Sequence, residues 1–294
     1  MKSIGDVVSE IGRFYPDVTH SSLRFLEREG LISASRTAGG HRLYAPTEIE
    51  RVLQIKRWQQ QKLSLQEIRD RLAHHDSLPT ADKLVSEFLR RSASGELDNA
   101  RQAILDAANA GLPLERLFGE VLVPALFEAG VRWQRGELMV AQEKEISEVA
   151  RELITELTLR HSFTNSSAPV LVAACVEGEH HELGLRMICG LLRARGFTIH
   201  FLGGNVAPRF LQESVSLHRP AAVLLSATLV ERLPAVEAAI GALLESTQPP
   251  SIVVGGHVAK DHPDTIRAWG AIPISDRFLD QALEAILPLL VVSG

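Results

Sequence analysis

Along the first 75 positions apolar residues recur at the three- and four-residue spacing of amphipathic helices. Ile4, Val7, Val8 and Ile11 form one stripe, with Ser3 placed to cap it and Gly12 to end it. Pro16 marks a turn. Thr19 or Ser21 opens a second helix that runs to about Glu29, with Leu23, Phe25 and Leu26 as its apolar positions and Gly30 as a left-handed stop. Two helices joined by a short turn within thirty residues predict a helix-turn-helix. The run at 35–44 carries paired glycines at the tip of a two-stranded hairpin. A third helix is expected from Pro46 to about Gln61, and a fourth from the capping box of Ser64 and Glu67 to near His75.

Polar stretches at 75–83 and 162–169 read as linkers. Between them every segment from 82 to 162 has helical rhythm, broken near Ser94–Gly95, Gly111–Pro113 and Gly136, which predicts four helices in a small antiparallel bundle. The rhythm then changes. Short apolar, β-rich runs at 170–176, 198–204, 221–227, 251–256 and 271–275 alternate with helical patterns, as buried strands of a doubly wound parallel sheet do, with ligand sites at the carboxyl ends of the strands. The expected fold class is multidomain α and α/β: a winged helix-turn-helix head at 1–75, a four-helix bundle at 82–162 and a doubly wound parallel-sheet domain at 168–294.

Composition narrows the function. Of 294 residues 23% are charged and 45% hydrophobic, ordinary for a globular chain. No stretch approaches 18 uninterrupted apolar residues, so no membrane span is expected. The start carries Asp6 and Glu10 and no apolar core of a signal peptide. Cys175 and Cys189 sit among apolar neighbours without zinc-ligand spacing, as reduced thiols of a cytoplasmic protein would. The net charge of −5 is uneven: residues 1–75 hold 12 Lys and Arg against 9 Asp and Glu, and the remainder 19 against 27. A basic head on an acidic body is the balance of a DNA-binding segment joined to one that does not bind DNA.

The head has the residues for it. Thr19, His20, Ser21 and Ser22 are small or polar at the start of the second helix, where backbone must approach bases and phosphates. Arg24 adds a cation one turn on, and the glycine-tipped hairpin offers His41 and Arg42 to phosphates, with Tyr44 as a further donor. Read singly, these residues serve equally as caps and solvated charges. Together, IGDVVSEIG, SSLRFLEREGLI and RTAGGHRLY with a helix behind them resemble the DNA-binding head of the MerR family across residues 3–75. That resemblance implies DNA contacts at Ser22, Arg24, Phe25, His41, Arg42 and Tyr44. At Phe25–Leu26 many members carry two tyrosines, so two hydroxyls are missing here.

After the first strand of the α/β segment stands Glu179-x-His181-x-x-Gly184. A histidine in such a loop points out of the sheet's carboxyl end, and a carboxylate two residues earlier can hold one ring nitrogen and leave the other free for a metal. Forty-one residues later come Ser226-Ala-Thr228, and 26 residues after that Gly255–Gly256. The set resembles the signature of cobalamin-binding domains, with Glu179 in place of the usual Asp and Thr228 in place of Leu. The resemblance implies that His181 is the cobalt's lower ligand in place of the corrinoid's own base, and that Glu179 orients it. It also implies that Ser226 touches the displaced base while Gly184, Gly255 and Gly256 make room.

In the helical segment, Trp133 followed after nine residues by Glu143 resembles the CarH-type light-responsive regulators of the MerR family, where the pair encloses the adenosyl group of adenosylcobalamin. Those regulators carry histidine next, which binds cobalt after light breaks the cobalt–carbon bond; this chain has Lys144. An amine of that type must shed a proton before coordinating, at roughly 4–5 kcal/mol near neutral pH. The resemblance implies a regulator, not an enzyme, whose homo-oligomer, a dimer or tetramer, holds a double-stranded DNA operator under control of bound adenosylcobalamin, with light as the signal. A sensor of cobalamin level or redox state shares every residue argument except the fate of the cobalt–carbon bond, and Lys144 keeps that reading open. A corrinoid carrier for methyl transfer shares the bundle and sheet but has no use for residues 1–75.

Overall fold

Ser3 and Thr19 set the frame of the head, each through a reciprocal cap. In the computed structural model, which describes residues 1–12, 15–37, 39–60, 62–75, 79–162, 169–275 and 279–291, a strand β1 (Lys2–Ser3) leads directly into α1 (Ile4–Ile11). The Ser3 hydroxyl accepts from the Asp6 amide and the Asp6 carboxylate accepts from the Ser3 amide, satisfying two of the donors a helix start leaves free. Thr19 and Ser22 do the same for α2 (His20–Arg28). Gly30, at φ +69°, turns the chain out of α2, and the Leu31 amide closes on the Leu26 carbonyl. The hairpin of β2 (Ser35–Arg36) and β3 (Arg42–Tyr44) gains β1 as a third strand, in the order β1-β3-β2. Then follow α3 (Pro46–Gln60) and α4 (Leu65–His75). Val7, Ile11, Leu23, Val52, Ile55 and Ile68 are fully enclosed in one core with Tyr44. Residues 76–78 and 163–168 of the expected linkers, and the expected helix end at Gln61, lie outside the described residues.

Residues Met1–Leu78 with Ala107–Pro113 form one compact unit; Pro79–Asp106 with Leu114–Gly294 form the other, in which bundle and sheet pack together. The bundle begins with α5 (Ala81–Ala93) and α6 (Leu97–Asn109). Next α7 (Leu114–Arg116) runs through a π-helical turn at Leu117–Leu122 into α8 (Val123–Gln134). The wide turn sits just before Pro124, whose ring lacks an amide and would clash with the carbonyl four residues back in a regular α-helix. The Val123 amide accordingly bonds the Phe118 carbonyl five residues back. The long α9 (Val140–His161) completes the bundle and buries Ile146, Ala150, Leu153, Ile154 and Leu157.

The α/β part is β4 (Val170–Val176), α10 (Leu183–Arg193), β5 (Thr198–Val206), α11 (Pro208–His218), β6 (Ala222–Ser226), α12 (Leu233–Leu244) and β7 (Ser251–Gly255). It ends with α13 (His257–Asp261), α14 (Pro263–Ala268), β8 (Ile272–Pro273) and α15 (Leu279–Val291). All pairings are parallel, in the order β5-β4-β6-β7-β8. The five strands fall on the five β-rich runs. Because β5 and β6 lie on opposite sides of β4, the loops leaving β4 and β6 part at the carboxyl edge, the crevice where open α/β sheets bind ligands. α10 meets α9 closely at Gly190, where a Cβ would lie 2.4 Å from Thr158 Oγ1 and 3.1 Å from Phe118 Cε2. No helix among the described residues is long and apolar enough to cross a membrane.

Candidate functional site

The crevice opens onto a cavity of about 770 Å³ between the bundle and the carboxyl edge of the sheet, within the range of roughly 300–1,000 Å³ usual for ligand sites. The residue that shapes it is Glu179. It is fully buried, and one oxygen accepts from the amides of Thr228 at 2.7 Å and Leu229 at 3.2 Å. The other accepts from the His181 amide at 2.8 Å and meets His181 Nδ1 at 2.5 Å. Burial pushes this carboxyl's pKa up, but the bonds from the His181 and Thr228 amides, the His181 ring and the Leu229 amide outweigh it and hold the pKa at about 2. An ionised carboxylate only accepts, so Nδ1 is the donor in this contact, and in the neutral imidazole the lone pair is then on Nε2. The longer Glu in place of Asp thus ties the loop after β4 to the loop after β6. The Glu179 carbonyl adds a bond from the Asn205 amide at 2.7 Å, which joins the end of β5 as well.

The His181 ring itself is 61% exposed and faces the cavity. Beneath its loop the buried Cys175 thiol reaches the His181 carbonyl at 3.8 Å. Burial, with the Glu179 charge adding to it, pushes that thiol's pKa up to about 12, so it stays a thiol and offers no competing thiolate.

Gly184, Ser226, Thr228, Gly255 and Gly256 all line the same cavity. The glycines differ. A Cβ on Gly184 would meet nothing within 4 Å and one on Gly255 nothing nearer than 3.9 Å, so both leave open space. Gly256 has φ +89°, and a Cβ there would lie 2.2 Å from the Ala227 carbonyl oxygen; its own backbone already demands glycine.

From the bundle side come Trp133 and Glu143, as expected. Trp133 is not a core residue: it is 45% exposed and lines the cavity, with Phe127 and Val140 exposed beside it. Three large apolar side chains left uncovered at one cavity mark a face that awaits a partner. Glu143 accepts from Ser147 Oγ at 2.9 Å. Lys144 also borders the cavity, largely exposed, with its Nζ 3.2 Å from Glu143 Oε2. His161 bonds the Leu157 carbonyl and is not among the lining residues. Reading the sequence missed Phe127, Val140 and His257, which belong to no motif, and His180, the unspecified position between Glu179 and His181.

The arrangement fits a corrinoid. One imidazole with its tautomer fixed is the donor for a metal that arrives with its equatorial ligands already in place, the apolar wall opposite suits what lies on the other side of such a ring, and the glycine-lined crevice suits an elongated tail.

In the head, the expected DNA-facing residues divide. Arg24 and His41 are exposed. Phe25 is half-buried against the core, with Arg28 over its ring. Ser22's hydroxyl is engaged in the cap of α2. Arg42 Nε donates to Glu27 Oε2 at 2.6 Å, which fastens the hairpin to α2. Tyr44 corrects the expectation of a phosphate donor: it is fully buried with its hydroxyl enclosed and unpartnered among the described residues, because β3 turns its last side chain into the core.

Residues 3–75 match the MerR HTH family regulatory protein, 84–158 and 169–286 two families each described as a B12 binding domain. The HTH-type transcriptional repressor CarH of Myxococcus xanthus is 29% identical over 252 residues, covering 80% of this chain and 83% of that one. The repressor CarA of the same organism is 28% identical over 261 residues, 86% and 88% of the two chains. The monomethylamine corrinoid protein of Methanosarcina barkeri shares the fold, with a TM-score of 0.59 at 19% identity over 70% of this chain and 96% of its own.

Proposed function

We infer that this chain, a MerR-type helix-turn-helix segment joined to B12-binding domains, is a B12-dependent transcription regulator that holds a double-stranded DNA operator as a homo-oligomer while adenosylcobalamin fills the cavity, and releases it in light. The observation that carries the corrinoid reading is His181: a cavity-facing imidazole whose Nδ1 is held at 2.5 Å by a buried, ionised Glu179. His181 Nε2 would ligate the cobalt, Trp133 and Glu143 would enclose the adenosyl group, and Gly184, Ser226, Thr228, Gly255 and Gly256 would border the nucleotide tail. When bound, the corrinoid supplies a cobalt–carbon bond that light cleaves. The exposed Arg24 and His41 meet DNA, with Arg42 holding the hairpin in place. The relatives' names, transcriptional repressors, favour negative control. We place the protein in the cytoplasm, where DNA is met and the buried Cys175 and Cys189 stay reduced.

A second reading, a sensor of cobalamin level or redox state, is favoured by Lys144, which pairs with Glu143 where the light-responsive group has histidine. One experiment separates the two. Purified protein with adenosylcobalamin is followed by absorption and by gel shift, before and after green light. Loss of the shifted band on illumination supports the light sensor; a band that follows cobalamin concentration and ignores light supports the second reading. His181→Ala should weaken adenosylcobalamin binding and change its spectrum to that of another lower ligand. An unaltered spectrum and affinity would remove His181 as the ligand to cobalt.

A further inference from the structure

Along α9, Glu143, Ser147 and Arg151 stand four residues apart and so share one face, and Thr158 lies two turns further on the same face. The first three line the cavity. Arg151 forms an ion pair with Glu182, the residue directly after His181. Glu182 is buried and its same oxygen takes a second bond, at 3.0 Å, from Arg186 Nη2 of α10. That guanidinium lies over the Phe201 ring of β5, 4.5 Å from its centroid. Arg151 is anchored on its own helix by Glu148 at 3.2 Å. Roughly 10 Å along the axis, Thr158 abuts Gly190 with no room for a methyl group.

The helix is therefore fixed to α10 at two places of different kind. At Thr158 and Gly190 the contact is tight and dry; at Arg151 and Glu182 it is an ion pair reaching the loop that bears the imidazole. The ion pair is thus a direct connection between the part of α9 that lines the cavity, where Glu143 stands, and the loop that bears His181.

We propose that Arg151 and Glu182 are the positioning couple through which helix α9, by what presses on it in the cavity, sets the placement of His181. The inference rests on the corrinoid reading for what fills the cavity. Neither residue is a ligand: both act through the loop. Glu182 is the better placed of the two, since its backbone amide bonds the His180 carbonyl and its carbonyl receives the Arg186 amide at 2.8 Å, so a shift of its side chain moves both neighbours of His181.

The test uses the full chain as wild type, Arg151→Gln, Arg151→Lys and Glu182→Gln. Amide hydrogen exchange on ligand-free protein reads the loop at 179–186 against the rest of α9. Hydroxocobalamin, followed by its visible spectrum under rising cyanide, reads how easily His181 is displaced, since the first cyanide replaces the upper water and the second replaces the lower nitrogen to give the distinct dicyano form. Arg151→Gln and Glu182→Gln should speed exchange in the loop about tenfold and lower the cyanide needed for the dicyano form about tenfold, while Arg151→Lys recovers most of both. Exchange and displacement equal to wild type would overturn the couple, and so would exchange raised evenly along all of α9, which marks a pair that only stabilises the fold. Wild type that takes up no hydroxocobalamin removes the corrinoid reading and the inference with it, and is told apart from the other failures because the exchange arm contains no corrinoid.

Discussion

Two glycines of one cavity make opposite demands. At Gly256 a methyl group would run into the Ala227 carbonyl on a backbone at φ +89°. Gly256→Ala should cost about 2–4 kcal/mol of stability, read as a shifted urea midpoint without any ligand. At Gly184, near the start of α10, the space is open, so Gly184→Ala should leave stability equal or raise it by about 0.5–1 kcal/mol. Its effect should fall on hydroxocobalamin instead, weakened about tenfold if the ligand lies against that turn. Equal affinity would take Gly184 out of the site. Glu179 carries a pH signature. Its pKa falls from 4.5 to about 2 on folding, so the folded state binds fewer protons between those values. The stability it gives is present in full above pH 4.5 and is lost as the pH drops towards 2. Wild type should thus lose about 3 kcal/mol more than Glu179→Gln across that window, measured by urea unfolding at each pH.

At the scale of elements, the hairpin and α2 act as one piece through Arg42 and Glu27, whereas Arg24 stands free of ion pairs among the described residues. Arg24→Ala should lower affinity for all duplexes alike and reduce the slope of log affinity against log salt by about one. Arg42→Ala should weaken binding with a smaller change of slope, because its charge is already matched; equal slope changes would place Arg42 on a phosphate. The elements themselves were largely legible beforehand. The five strands, the caps at Ser3, Thr19 and Ser64, and the stop at Gly30 each rest on a local pattern or a residue type with one favoured conformation. What escaped was non-local. A two-residue strand at Lys2–Ser3 has no periodicity, and exists because β3 leaves an edge to pair. The π turn before Pro124 keeps a helical stripe and so reads as ordinary helix. Tyr44 stands two positions from Arg42, so alternation along β3 puts both on one face and reads both as surface, yet Tyr44 is enclosed in the core of the head. Of the site, the motif residues were visible because their spacing is fixed. Glu182 was not, since its partner lies 31 positions away on another helix.

At the scale of the whole molecule, control of DNA by a ligand held outside the head calls for an effect larger than any one contact. In the proposed homo-oligomer, several heads on one duplex would supply it through effective concentration, with avidity gains of about 10²–10⁴ and no new base contact. Protein with adenosylcobalamin should therefore elute in the dark as a larger species than after illumination, and the illuminated form should bind a single half-site as well as the dark form does. If half-site binding falls with light as steeply as binding to the full operator, the heads themselves are being altered and assembly is not the lever.

The bonds of Glu179 to Thr228, Leu229 and His181, and of its carbonyl to Asn205, mean that the crevice has its width before anything enters it. Ordering these loops then adds no entropic cost at the moment of uptake. The heat capacity change on binding should match the apolar area covered and carry no contribution from folding, which a calorimeter detects as a modest negative value rather than the large one of a segment that folds as it binds.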